Sequence, residues 1–333
     1  MYNIRSLADE DRNLKNIQKG GLFDMTEEKK QVTTDIVIIG GGTAGLTAAI
    51  YAVRAGKQVI VLEAKAYGGQ IVNTPDIENY PGLAHVSGYD FATGLYQQAI
   101  DLGARFRYER ALGIRQDDGG KIVETRKREY HCKAVILATG AKNRTLGIDR
   151  EEELTGKGVS YCATCDGSFF KGQDVAVNGG GNTALEDALY LADICNRVYL
   201  IHRRDQFRGD AADVEKLKQK NNVEFVLNSN VTGLIGSDKL TAVEVTDKIS
   251  GEKKELPVSG LFVAIGQVPD NKAFADEVDL APAGYIEAGE DCATRTPGIF
   301  TAGDCRTKTV RQLTTAAADG AVAALAACRY IGA

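Results

Sequence analysis

The 333-residue chain contains no tryptophan, only two methionines and only three histidines. Without an indole, the usual flat platform for stacking bases and sugars is missing. Histidines at 85, 131 and 202, together with a single Cys-x-x-Cys pair, fall short of the four suitably spaced ligands of a zinc centre, so no metal site is expected. No apolar run approaches the roughly 18 residues that suggest a membrane span. The opening stretch MYNIRSLADEDRNLKNIQKGG is charged throughout and lacks the apolar core of a secretory signal. Basic residues are not in excess either. The net charge of -5 is the opposite of a nucleic-acid footprint. These absences together point to a cytoplasmic protein with neither a membrane nor a nucleic-acid partner.

Seven cysteines lie at 132, 162, 165, 195, 292, 305 and 328. An odd number in so long a chain does not suit a secreted disulfide framework. Five of them sit among small or apolar residues and are expected to behave as buried hydrophobes. Only Cys162 and Cys165, in YCATCDG, form a spaced pair.

Glycine, by contrast, is abundant at 37 residues, which points to sharp turns and close backbone approaches. The stretch TDIVIIGGGTAGLTAAIYAVRAGKQVIVLEAK reads as a strand over Ile36–Ile39 and glycines at 40, 42 and 45. A helix follows with Leu46, Ala49 and Ile50 on one face, then a strand over Val59–Leu62, closed by Glu63. This is the dinucleotide-binding fingerprint in its required context. Gly40 permits the tight turn, Gly42 lets a pyrophosphate approach the helix N-terminus, and Gly45 allows close packing. Glu63 can accept hydrogen bonds from a ribose hydroxyl pair.

The pattern then repeats without a gap 139 residues later, in QDVAVNGGGNTALEDALYLADICNRVYLIHRRDQFRG. Gly40 falls on Gly179, Gly42 on Gly181 and Gly45 on Ala184, while Glu63 falls on His202, with Arg203, Arg204 and Arg208 close behind. An acid at that column would repel a 2′-phosphate, whereas guanidinium groups pair with one. The second site should therefore prefer NADP over NAD. Asn178 stands where the first unit has Ile39, and a buried amide there would need partners.

The length suggests two domains. Strand-and-turn segments at Ala134–Gly140 and in GLFVAIGQVPD flank the second unit. A further strand ends at Gly303-Asp304, and an alanine-rich helix starting near Val310 should carry the chain back to the first domain. The second domain is thus expected as an insertion between turns near Gly140 and Gly266, a plausible pair of hinges.

Two dinucleotide folds with a Cys-x-x-Cys between them resemble the low-molecular-weight thioredoxin reductases (class II) of the pyridine nucleotide–disulfide oxidoreductase family. GGGTAGLTAAIYAVRAG, EAKAYGGQIVNTPDIENYPG, CATCDG, IHRRDQFR, TPGIFTAGD and RQLTTAAADGAVAA occur in the family's order over about residues 33–331. Departures are Thr43, where proline is usual, and Asn178, where an aliphatic residue is usual. The resemblance implies an α/β fold of two Rossmann-like domains, a three-layer FAD domain with an inserted NADP domain. The expected boundaries are an N-terminal extension over 1–32, a discontinuous FAD-binding domain over 33–142 and 267–333, and an NADPH-binding domain over 143–266 carrying the CATC turn. It implies FAD contacts from Gly40, Gly42, Thr43, Ala44, Gly45, Glu63, Gly69, Gln70, Asn79, Gly303, Asp304, Arg311, Gln312 and Leu313. NADPH contacts are expected from Gly181, Asn182, Thr183, His202, Arg203, Arg204 and Arg208.

A passive staple across two intervening residues would stabilise little, because the gain grows with loop length. A reducible pair is the better reading of Cys162 and Cys165. The expected reaction is NADPH-dependent reduction of a thioredoxin, or a thioredoxin-like protein, through FAD and that pair. The resemblance implies that Cys165 faces the flavin, that Cys162 is the interchange thiol, that Asp166 shuttles the proton, and that the protein is a homodimer. Asp166 followed by Gly167 also suits a plain turn.

Four alternatives share parts of this pattern. The flavoprotein subunit of alkyl hydroperoxide reductase needs thioredoxin-like domains that the roughly 30 preceding residues leave no room for. A ferredoxin-dependent reductase lacks the arginines. A small-molecule dithiol oxidase uses the same scaffold. A non-catalytic flavin redox sensor would not need the cysteine pair. Met25, the only methionine besides Met1, is an alternative translation start.

Overall fold

A computed structural model describes residues 29–74 and 76–332. The Met25 question and most of the expected extension lie outside the described residues. The extension is shorter than expected, because Lys30–Thr33 is already a strand, paired in parallel with Arg128–Cys132.

Alternation along the first fingerprint strand builds three layers. Ile36–Ile39 is buried throughout. Successive side chains point to opposite faces of a strand, so Ile36 and Ile38 enter one core while Val37 and Ile39 enter another. The strand sits at the centre of a parallel five-stranded sheet, in the spatial order Ile299–Thr301, Ala134–Leu137, Ile36–Ile39, Val59–Glu63, Arg105–Tyr108. Helices Thr43–Arg54 and Leu313–Gly332 cover the face bearing Ile36 and Ile38. A four-stranded sheet of Lys30–Thr33, Arg128–Cys132, Gly120–Glu124 and Gly113–Asp117 covers the other.

The helix Thr43–Arg54 was expected to bury one face. It buries residues all round, from Thr43 to Ile50 and again at Ala52. The sheet lies on one side and the tail helix on the other, which explains its many small residues. The tail helix begins at Leu313, three residues later than expected. Gln312 is its cap: the Ala316 N–H donates to Gln312 O (2.9 Å) and the Gln312 N–H donates to Thr315 Oγ1 (3.1 Å).

The second unit repeats the plan. Its parallel sheet runs Val159–Ser160, Gly260–Ala264, Asp174–Gly179, Arg197–Ile201, Val223–Val226. An antiparallel sheet of Ser229–Ile235, Ala242–Asp247 and Lys253–Pro257 covers one face. The helix Asn182–Ile194 and the cysteine turn cover the other. The chain crosses between the two units twice. The crossings are Ala141–Asn143 and Gln267–Pro269, paired antiparallel as a two-stranded ribbon. Gly140 and Gly266 precede the two strands in left-handed backbone conformations (φ 66° and 101°).

Cys132, Cys195, Cys292 and Cys305 are buried as expected. Cys328 is only half-buried, near the end of the tail helix. No helix among the described residues is long and apolar enough to cross a membrane.

Candidate active site

The first glycine turn is dictated by sterics. Gly40 has φ 113°, and a Cβ there would lie 2.1 Å from Ala138 O; a Cβ on Gly45 would lie 1.9 Å from Gly40 O. Neither position tolerates a side chain. The helix that follows starts from Gly42 with no side-chain cap and no acid in its first turn, and the same holds for Asn182–Ile194, which starts from Gly181. By contrast, Ser87 and Asp210 cap the helices Gly88–Asp101 and Ala211–Lys218 with their own side chains. The two fingerprint helices thus present free N–H groups and the positive end of the dipole, which suits a phosphate.

Glu63 ends its strand beside the first turn. Its Oε2 accepts from the Gly41 N–H (2.8 Å) and its Oε1 from the Lys65 N–H (2.8 Å). Gly69 lies next to Gly68, which bridges to Gly42, so this loop runs along the glycine turn. Gln70 behaves differently from a simple cofactor contact. Its amide donates to Ala141 O and accepts from Asn143 Nδ2 (3.1 Å), fastening the loop to the interdomain ribbon.

On the far side of this cleft, the strand Ile299–Thr301 leads into Gly303-Asp304. Asp304 Oδ1 is buried without a hydrogen-bond partner, and burial pushes the carboxyl above its usual range, against Lys308 and Arg311, which lower it. A buried acceptor left unpaired is costly, and a polyhydroxyl ligand would supply its donor. The uncapped helix end, the glycine turn and this orphaned oxygen together fit FAD. Arg311 lies over the Tyr285 ring (4.2 Å) and donates to Asp304 O (3.5 Å).

In the second unit the Arg208 and Gly209 N–H groups donate to Gly180 O (2.7 and 3.2 Å), and the Asp210 N–H donates to Asn182 Oδ1 (2.9 Å). The exposed Arg208 is therefore moored beside the glycine turn, and the exposed Arg203 and Arg204 stand earlier in the same loop, where Arg203 O and Arg204 O accept from Lys248 and Asn228. The Arg208 backbone thus lies at the glycine turn that opens the second uncapped helix. His202 departs from expectation. It is buried, stacked on Phe207 (5.1 Å), and its Nε2 faces Gln206 O (3.1 Å). Burial and the three arginines lower its pKa. The ring fills the space below Gly180, where a Cβ would meet it at 2.1 Å, so His202 forms the floor of the site. Asn178 is half-buried at the end of its strand and is not the enclosed amide that was expected.

Cys162 and Cys165 form a disulfide (S–S 2.07 Å) at the start of the one-turn helix Ala163–Asp166. Ala163 is buried in the core of the second unit, and Gly167 is buried against Tyr190, Leu191 and Ile194. The other side of the turn meets the first unit. Gln312 Nε2 donates to Thr164 Oγ1 (3.0 Å), Asn79 Nδ2 contacts Thr164 O (3.5 Å) and Gln312 Oε1 (3.3 Å), and Ser168 Oγ donates to Glu78 Oε2 (3.0 Å). Asn79 and Gln312, expected at the flavin, thus converge on the redox turn. Asp166 is placed by a residue that sequence reasoning missed: Ser160 Oγ donates to Asp166 Oδ2 (2.6 Å) and accepts from the Cys162 N–H (3.1 Å). Burial raises the Asp166 pKa, against the Ser160 hydrogen bond. Nothing in YCATCDG marks Ser160 or Ser168 as special; both roles arise from tertiary contact. Asp76, Glu78 and His85 converge within 4.8 Å on the surface, where Asp76 raises the His85 pKa through a hydrogen bond between its Oδ2 and His85 Nδ1 (2.8 Å).

Two dinucleotide sites in tandem with a disulfide turn at their interface define a flavin- and nicotinamide-dependent disulfide oxidoreductase fold. The profile of the family described as pyridine nucleotide-disulphide oxidoreductase matches residues 34–320, and the chain belongs to that family. It is 39% identical to the thioredoxin reductase of Listeria innocua over 89% of this chain and 93% of the relative. The solved thioredoxin reductase of Streptococcus pyogenes superposes with a TM-score of 0.86 at 39% identity, covering 90% of this chain and 98% of that one. The Lactococcus lactis thioredoxin reductase in its FR conformation, 37% identical and covering 90% and 99%, gives only 0.62.

Asp187, on the helix Asn182–Ile194, titrates unusually: burial, with help from the adjacent Glu186, pushes its carboxyl from 3.8 up to about 7. A raised folded-state value means that its contribution to stability is complete below about pH 4 and is lost as pH rises to about 7. Asp187→Asn should therefore raise the thermal midpoint at pH 8 and change it little at pH 4, as measured by circular dichroism melts.

Proposed function

We propose that the chain passes two electrons from NADPH through FAD to its Cys162–Cys165 disulfide, and from there to the disulfide of a thioredoxin. The observation that carries this is the disulfide turn, built into the core of one dinucleotide unit and hydrogen-bonded through Thr164 to the other. The activity is that of a thioredoxin-disulfide reductase, and its cofactors are FAD and NADPH. When bound, FAD supplies the exchange of an electron pair between nicotinamide and disulfide.

Each cofactor is assigned its own part of the chain. Residues 33–142 and 267–333 hold FAD, with the pyrophosphate at Gly42–Gly45, a ribose at Glu63, and a polyol hydroxyl at Asp304. Residues 143–266 hold NADPH, with its pyrophosphate at Gly181–Thr183 and its 2′-phosphate among Arg203, Arg204 and Arg208. Once the pair is reduced, the Cys162 thiolate attacks a sulfur of the thioredoxin disulfide. A Cys162–thioredoxin bond forms and a thioredoxin thiolate leaves, taking a proton from Asp166. The Cys165 thiolate then attacks Cys162 sulfur, which restores the internal disulfide and releases the second thioredoxin sulfur. A carboxyl whose pKa is raised by burial suits Asp166 to holding that proton.

The disulfide turn and the arginines belong to one unit, yet both the disulfide and the nicotinamide must reach the same flavin. Rotation of that unit about the ribbon at 141–143 and 267–269 solves this. Two relatives of nearly equal identity superpose very unequally, with TM-scores of 0.86 and 0.62. Rigid units set at different angles would produce such a gap, and the better match gives the arrangement adopted here. We further assign the protein to the cytoplasm as a homodimer, in line with its family resemblance.

Three tests follow from these assignments. Cys162→Ser with Cys165→Ser should abolish reduction of thioredoxin while the protein stays yellow; thioredoxin reduction by the double variant would overturn the redox role of the pair. Replacing Arg203, Arg204 and Arg208 by Ala should raise KM for NADPH by about tenfold or more, as loss of charge-assisted hydrogen bonds implies, and leave KM for NADH nearly unchanged. Cysteines placed at 78 and 168 and joined by a short bismaleimide should stop turnover; full turnover in the cross-linked protein would exclude rotation.

A further inference from the structure

The turn that carries Asp304 is held by a buried charge cluster that the mechanism above does not use. Asp319, early in the tail helix, has its side chain only 9% exposed. Its Oδ2 accepts from the Gly303 N–H (2.9 Å), Arg306 Nε (2.9 Å) and Lys308 Nζ (2.8 Å), and its Oδ1 accepts from Arg306 Nη2 (2.9 Å). The side chains of Arg306 and Lys308 are each 7% exposed. Arg306 also donates to Ala288 O (3.3 Å) and Thr307 O (3.0 Å), anchoring the cluster to the neighbouring loop.

Two features of this arrangement bear on Asp304. Asp319 grips the peptide N–H of Gly303, the residue just before Asp304, and Gly303 sits in a left-handed conformation (φ 81°). The rotation of the Gly303-Asp304 segment, and with it the direction of the Asp304 carboxylate, is thereby fixed from the tail helix. The cluster also holds two cations against one anion, and its Lys308 opposes the burial that pushes the Asp304 carboxyl above its usual range.

We propose that Asp319 is a positioning residue for the flavin: through the Gly303 amide and the Arg306–Lys308 pair it aims Asp304 as an acceptor at a hydroxyl of the cofactor's polyol chain. This rests on the FAD reading of the first site. Removing only Asp319 strands two buried cations, which is strongly destabilising, so two variants are needed. Asp319→Asn keeps the size of the side chain but loses the charge that holds Gly303, Arg306 and Lys308 together. The triple variant Arg306→Met, Lys308→Met, Asp319→Leu replaces the whole cluster with apolar side chains, an exchange that often preserves stability. FAD affinity is read by flavin fluorescence on dilution of the holoprotein, alongside the thermal midpoint.

Both variants should bind FAD about tenfold more weakly, as expected for loss of one charge-assisted hydrogen bond. Adding Asp304→Asn to either should weaken binding no further, because the two residues then act as one unit. Unchanged FAD affinity in both variants, or losses that simply add to that of Asp304→Asn, would overturn the inference while leaving the FAD reading intact. A wild-type protein that takes up no flavin would overturn both.

Discussion

One short turn has to satisfy two masters. Ala163 and Gly167 bury the CATC turn in the core of the nucleotide unit that carries the arginines, while Thr164 and Ser168 face Gln312, Asn79 and Glu78 of the other unit. The two attachments differ in kind. The first is apolar packing, with Gly167 so tightly enclosed that an added Cβ would lie 2.7 Å from the Tyr190 ring. The second consists of a few exposed hydrogen bonds, each worth about 0.5–1.5 kcal/mol net. The turn therefore travels with its own unit, and the contacts across the interface are weak enough to exchange for water. A disulfide that must first be reduced beside one cofactor and then be offered to an outside protein needs this asymmetry.

Duplication supplies the rest of the machinery, and divergence at a few columns separates the two sites. Both units place a glycine turn at the carboxyl end of the central strand, where open α/β sheets bind ligands. Glu63 ends the second strand of the first unit with its carboxylate against the turn. The equivalent His202 turns inward, while the arginines that follow stay exposed. The first unit also recruits a third wall, since the chain returns to it through the Gly303-Asp304 turn and the tail helix. The cluster around Asp319 belongs to this wall and has no counterpart column in the repeat.

What could be read from sequence was what is local. The fingerprint strands, the two turns and the spacing of the cysteines are written in consecutive residues, because steric demands at Gly40 and Gly45 act over a single strand–turn–helix unit. His202 shows the limit of that reading. Alignment places a residue at the end of a strand but does not say to which face its side chain goes, and here the void beneath Gly180 captures the ring. The early start assigned to the tail helix fails for a similar reason: Val310–Gln312 stay outside the helix, with Arg311 drawn onto Tyr285 and Gln312 engaged as the cap. Ser160 and Ser168 lie outside every motif quoted above, and Glu78 and Asp319 lie inside two of them with nothing local to single them out. Each matters through a partner that only folding brings near, Ser168 meeting a residue 90 positions away.

The ribbon joining the units completes the mechanical argument. Two short antiparallel strands resist stretching, because their paired backbones act together, but a ribbon so narrow twists readily. Gln267 Nε2 donates to Asn143 Oδ1 (2.9 Å), and Asn143 in turn donates to Gln70, so an amide chain runs from the glycine-turn loop through both crossings. Such a linkage holds the distance between the units while allowing their relative rotation. Both Gly140 and Gly266, at the entrance to the strands, occupy conformations that other residues adopt with difficulty, which concentrates the bending at two points, one at each end of the antiparallel ribbon. The proposed rotation about that axis would carry the disulfide away from the first site as it brings the arginine-bearing loop toward it. The hydrogen bonds of Thr164 and Ser168 to Gln312, Asn79 and Glu78 tie the cysteine turn to the first unit, and the proposed rotation requires that they break.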